Sequence, residues 1–196
     1  MNISLFLYKG DVRCFFRRNL AKFIFAGIIV ALAIIFAARN AFTLEDVNDY
    51  FESRSVPLFA FARGDGSLFV LFLISILEYA LMLSFVLLCS YNDFLLFLSF
   101  AIVAYKAYMN VFNALVIFRY FVVRSLPFVI LYLAFTAVLL CFLVGYIAFV
   151  MNSQCRYRYG IKEIKHLVCI CVPLYIAFAV LLVLQILLIC IGCAFI

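Results

Sequence analysis

Long apolar runs separated by short polar punctuation dominate this 196-residue chain. A helix needs roughly 20 mainly apolar residues to cross about 30 Å of hydrocarbon. Five stretches meet that requirement: 20–38, 67–89, 94–118, 127–151 and 167–193. The first holds an uninterrupted run from Phe23 to Ala38, and Pro127 stands in the opening turn of the fourth, where its missing N–H leaves no intrahelical bond unmade. The pattern predicts an all-α polytopic membrane protein, a single transmembrane domain built as a bundle of about five helices.

The start of the chain admits a competing reading. Lys9, Arg13, Arg17, Arg18 and Lys22 precede the first run, and Ala37, Ala38 and Ala41 are small residues near a possible cleavage point, as in a secretory signal peptide. The run is longer than the usual 7–15-residue core of such a peptide, which favours an uncleaved anchor.

The longest polar segment is 40–66. Thr43-Leu44-Glu45-Asp46 resembles a capping-box start, with acids suited to the positive end of a helix dipole. Leu44, Val47, Tyr50 and Phe51 then recur at i, i+3, i+6 and i+7, which predicts a short amphipathic helix over about 44–53, lying on the membrane surface or on the bundle. Pro57 and Gly64-Asp65-Gly66 are expected to break the chain before the second span. A second polar loop, 152–166, carries Arg156, Arg158, Lys162 and Lys165.

Composition closes off the soluble alternatives. Hydrophobic residues make up 71% of the chain and charged residues 12%, against about 45–50% and 25% in soluble proteins. A net charge of +6 therefore does not indicate a nucleic-acid partner; the expected partner of the basic loop is the lipid headgroup layer. The tyrosines interleaved with those basic residues, and His166 at the end of the loop, suit the same interface. Counting Lys and Arg on alternate sides gives nine against five in favour of a cytoplasmic N-terminus and an outward C-terminus. The 40–66 segment and its helix would then be extracytoplasmic.

Charges inside a span cost about 2.5–3.5 kcal/mol each on insertion scales, so each needs a partner or a purpose. Glu78 and Lys106 supply one another. They lie almost equally far from a turn at Tyr91-Asn92, which puts both roughly 20 Å along antiparallel helices at 1.5 Å per residue. A structural ion pair is the expected role; an ion pathway, or charges reaching outward to the interface, are the alternatives. Ser99, Lys106, Asn110 and Asn113 form one stripe on the third span, and Ser75 lies one turn before Glu78. Such polar seams mark helix–helix contacts or a wet cavity rather than a lipid face.

No constellation for catalysis stands out, and no cofactor or metal is expected. The chain has one histidine, His166, and eight cysteines. Cys169-Ile170-Cys171 is too tight for most metal pairs. Cys190-Ile191-Gly192-Cys193 ends an apolar helix, where cysteine behaves as a small hydrophobe, with a disulfide open if that end faces outward. Cys14 and Cys155, beside basic residues, are candidate palmitoylation positions.

The layout resembles the stage II sporulation protein M family of bacterial membrane proteins over about residues 10–190. The likeness lies in the basic N-terminus, the acidic amphipathic segment from Thr43 to Phe51, the hairpin whose second arm carries Lys106, the Leu126-Pro127 connector and the basic loop before the last span. It departs from that family in lacking a glycine-rich third span, where Lys106-Ala107 stands, and in having Phe128-Val129-Ile130 after the connector proline. The resemblance implies a non-catalytic scaffold of the engulfment machinery in the bacterial cytoplasmic membrane, recruiting cell-wall hydrolases that resemble stage II sporulation proteins D and P to the septal membrane. The partner-binding residues would be Glu45, Asp46, Asp49 and Glu52. The alternative is a permease-like transporter subunit, with Glu78, Lys106, Asn110 and Asn113 lining a path and the basic loop docking an ATPase.

Overall fold

The computed structural model describes residues 17–53, 56–89, 93–121, 125–154 and 161–193, which are helical apart from short turns and bends. The helices are α1 (Leu20–Thr43), α2 (Val47–Ser53), α3 (Pro57–Ala62), α4 (Leu68–Cys89), α5 (Asp93–Phe121), α6 (Leu126–Gln154) and α7 (Ile161–Cys193). Among the described residues α1, α4, α5 and α6 are each long and apolar enough to cross a membrane, and α7 carries a further apolar stretch, Tyr175–Ile191. The protein is an all-α polytopic membrane protein.

The direction of each helix follows from its contacts. Phe25 of α1 meets Phe97 and Phe100 near the start of α5, while the Ala41 carbonyl meets Arg119 near its end, so these two run parallel. Glu78 with Lys106 makes α4 antiparallel to α5, and Tyr132 with Asn110 does the same for α6. Tyr146 pairs with Tyr175 and Phe142 with Phe178, which returns α7 against α6.

Helix α5 is the centre of the bundle. Its membrane-crossing stretch is 61% buried, against 17% for that of α1. Lipid tails are as apolar as leucine, so helices in a membrane associate by close packing rather than by escape from water. The most extensive contact, α1 on α5, has the small side chains that such packing needs. Ala26, Ala37 and Ala41 are buried on α1, and Val103, Ala107 and Ala114 on α5. The opposite face of α1, including Ile24, Ile28, Leu32 and Ile35, is left to the lipid.

Four expectations about boundaries are corrected. Helix α1 continues past Ala38 to Thr43, so Thr43 closes α1 rather than opening the next helix; its hydroxyl donates back to the Arg39 carbonyl at 2.9 Å. The amphipathic helix starts at Val47, with Asp46 as its cap: the Asp49 amide donates to Asp46 Oδ1 at 3.0 Å. Pro57 opens a further short helix, α3, that the pattern did not predict, and occupies its first turn, a position that needs no N–H. The basic loop is shorter than 152–166, because Asn152 to Gln154 belong to α6 and Ile161 to His166 to α7. Lys162 and Lys165 are thus helical, while Arg156 and Arg158 lie outside the described residues, as do Cys14 and Cys155.

Candidate functional site

Two polar constructions stand out, one at mid-membrane and one at the end of the bundle where α1 and α5 terminate. The first is built on the central helix. Lys106 Nζ lies 2.6 Å from Glu78 Oε2, with the lysine buried and the Glu78 side chain 37% exposed. The ammonium also sits over the Tyr79 ring, 4.7 Å from its centroid. A carboxylate and an aromatic face, offered by successive residues of α4, together replace the water that a lysine loses on entering hydrocarbon.

One turn along α5, the Tyr132 hydroxyl of α6 donates to Asn110 Oδ1 at 3.1 Å, both residues being buried. The Asn110 amide nitrogen is buried and makes no hydrogen bond among the described residues. Antiparallel counting from the Asn110–Tyr132 pair puts Thr136 level with Lys106, and its buried hydroxyl too makes no hydrogen bond among the described residues. The layer thus joins α4, α5 and α6 at one depth. Of the expected seam, Glu78, Lys106 and Asn110 come together. Asn113 is buried one turn further toward the end of α5, Ser75 is half-buried, and Ser99 lies two turns away, its buried hydroxyl without a hydrogen bond among the described residues. Tyr79, Tyr132 and Thr136 were not anticipated, because hydroxyl-bearing residues in apolar runs do not interrupt a hydropathy pattern.

The second construction is a cap of α2, α3 and the turns around them. Its apolar face follows the amphipathic pattern: Phe51 is fully buried, stacked on Tyr120 at 4.2 Å and edge-on to Phe121, and Tyr50 packs edge-on against Phe112. The predicted helix therefore lies on the bundle. Two arginines fasten the backbone. Arg119 Nη1 donates to the carbonyls of Ala41 and, at 3.0 Å, Leu44. Arg63 Nη1 donates to the carbonyls of Phe51 and, at 3.0 Å, Glu52. The last carbonyls of a helix have no partner within it and carry partial negative charge, so a guanidinium with several forked donors closes both α1 and α2.

Gly64 ends α3 with φ +85°, a left-handed conformation that favours glycine. A Cβ on Gly66 would stand 2.5 Å from the Phe61 amide nitrogen, so the turn can fold back on α3 only without a side chain there. Of the four acids expected to bind partners, all are exposed, but two already have work within the cap. Asp46 caps α2, and Glu52 Oε1 accepts from the Tyr120 hydroxyl at 3.2 Å. Glu45 and Asp49 project from a fixed backbone.

Among the described residues no group of three or more His, Cys, Asp or Glu stands together as metal ligands would. Among the described residues Cys89, Cys141 and Cys190 form no disulfide, and the side chains of Cys169, Cys171 and Cys193 lie outside what is described. No protein-family model, curated protein or solved structure matches the chain.

Proposed function

We propose that this protein is an integral membrane scaffold whose cap presents a preformed acidic surface to a partner outside the bilayer. The cap carries this reading: a 40–66 segment with no more purpose than linking two spans would not need two guanidinium-closed helix ends, a glycine-only turn and a buried aromatic anchor. Those features hold Glu45 and Asp49 on rigid backbone, and pre-ordering a surface removes an entropic cost from binding. The excess of basic residues in the opposite segments supports an extracytoplasmic position for the cap. The resemblance to stage II sporulation protein M supplies the partner class: cell-wall hydrolases resembling stage II sporulation proteins D and P, recruited to the septal or forespore membrane of a sporulating bacterium.

The test is affinity purification in mild detergent from sporulating and growing cells. Glu45→Lys with Asp49→Lys is the informative variant, since it reverses the exposed charge and spares Asp46 and Glu52, which hold the cap together. Loss of extracytoplasmic hydrolases at unchanged expression is the expected result. Recovery of the same partners by the variant would remove the acidic face from the account. Recovery of a cytoplasmic ATPase instead would favour the transporter-subunit reading, to which the unbonded Asn110 and Thr136 groups beside Lys106 give some support.

A further inference from the structure

Hydrocarbon supplies no hydrogen bonds, so polar groups left facing it mark a contact that the single chain does not complete. Two such groups stand at the same depth here. Glu78 gives one carboxylate oxygen to Lys106, yet more than a third of its side chain remains exposed. Tyr105 is 53% exposed, and its hydroxyl makes no hydrogen bond among the described residues. On α4, Glu78 begins a row continued by Leu81, Met82 and Phe85 at i+3, i+4 and i+7. On α5, Tyr105 ends a row formed with Leu98, Ala101 and Ile102. Leu81, Met82 and Phe85 of α4 and Leu98, Ala101, Ile102 and Tyr105 of α5 line an open apolar groove of about 400 Å³ between the helices. The antiparallel register that joins Glu78 to Lys106 sets Tyr105 level with Glu78. Tyr105, a donor, stands at one end of the groove, and Glu78, an acceptor one turn from Leu81 on α4, lies level with it, with no bond between the two.

The outer face of α4 adds a second observation. Leu77, Leu81, Ser84 and Leu88 recur at i, i+4, i+7 and i+11, and all four are exposed. This is the spacing by which one helix seams against another, with a small residue where the backbones approach.

We propose that a second copy of this chain docks on this face, forming a parallel dimer about a two-fold axis along the membrane normal. Such an axis keeps every residue at its own depth. The Tyr105 hydroxyl of each copy then donates to the Glu78 carboxylate of the other, and each α4 leucine row enters the opposite groove beside Ala101. The contact is self-complementary, as a two-fold interface requires. An acyl chain fills the groove but brings Glu78 no donor, whereas a second copy already carries that donor at the right height. The inference does not rest on the scaffold reading, since it concerns the purified chain alone.

The experiment is single-molecule photobleaching of the full-length labelled protein in phosphatidylcholine vesicles over a range of protein-to-lipid ratios. Concentration-dependent two-step bleaching is expected. Ala101→Trp, which fills the groove, should weaken the dimer more than tenfold, and Tyr105→Phe, which removes only the hydroxyl, by about three- to tenfold. Unfolding midpoints in detergent show whether each variant keeps the monomer fold; if Ala101→Trp does not, Tyr105→Phe alone decides. A monomer at every ratio overturns the proposal. So does a dimer indifferent to Tyr105→Phe, which would locate the interface elsewhere.

Discussion

The mid-membrane layer and the cap solve the same problem with different parts. In the layer, side chains bond to side chains: Glu78 to Lys106, and Tyr132 to Asn110. In the cap, side chains bond to backbone: Arg119 to the end of α1, and Arg63 to the end of α2. The difference follows from where polar groups are left over. Within a span every backbone N–H and C=O is used by the helix itself, so the only polar groups to satisfy are those the sequence inserts. At a helix end the backbone has its own unmet carbonyls, and a long cation can satisfy two at once. The layer therefore fixes which spans lie together at which depth, and the cap fixes the extramembrane segment as a surface.

If that division is right, breaking the layer asymmetrically should have the largest effect. Lys106→Met leaves the Glu78 carboxyl without its partner. Removing one member of a fully buried pair costs 3–5 kcal/mol, and the partial exposure of Glu78 places this variant at the low end, about 3 kcal/mol. Adding Glu78→Gln should return part of that loss, because a neutral amide tolerates the site better than an unpaired carboxylate. Unfolding in mixed micelles across the double-mutant cycle measures the coupling. Strictly additive losses would mean that the two residues act separately.

The cap should be sensitive to the fork rather than to the charge. Arg119→Met removes two hydrogen bonds from a charged donor to the α1 terminus, with an expected loss of about 2 kcal/mol. Arg119→Lys keeps the cation near the helix end but cannot reach both carbonyls with one planar group, so it should recover only part of that. Protease cleavage between residues 44 and 66 reports the same event locally and should accelerate in both variants. Full recovery by lysine would reduce the contact to a dipole effect.

These two regions also differ in how far a reader of the sequence can see them. Glu78 and Lys106 belong to one hairpin, so counting outward from its turn was enough to bring them to one depth. Arg119 and Ala41 are 78 positions apart, and nothing local to either announces the other. Arg119 reads as one more positive residue at a span boundary. The apolar pattern located the spans because lipid demands apolar side chains, but helices stop where their ends are satisfied rather than where the apolar residues stop. Hence α1 runs five residues beyond Ala38 to Thr43, and α7 begins six residues before Leu167, at Ile161. The face of the amphipathic helix was legible in Leu44, Val47, Tyr50 and Phe51, whereas its start was not: Thr43 and Asp46 are both good caps, and the bonds Thr43 makes to α1 decide between them.

The finest test of the comparison separates polarity from packing at Tyr120, where both meet. Its hydroxyl donates to Glu52 at 3.2 Å in an exposed position, while its ring stacks on buried Phe51. An exposed hydrogen bond exchanges with water at little net gain, so Tyr120→Phe should change the unfolding free energy by less than about 0.5 kcal/mol. Tyr120→Leu keeps an apolar side chain but loses the stacked pair, worth about 0.5–1.5 kcal/mol beyond area. The cap is then held by aromatic burial and by arginine on backbone, with the Glu52 contact contributing little. Equal losses in the two variants would reverse that order and give the Tyr120–Glu52 bond a share in fastening α2 to α5.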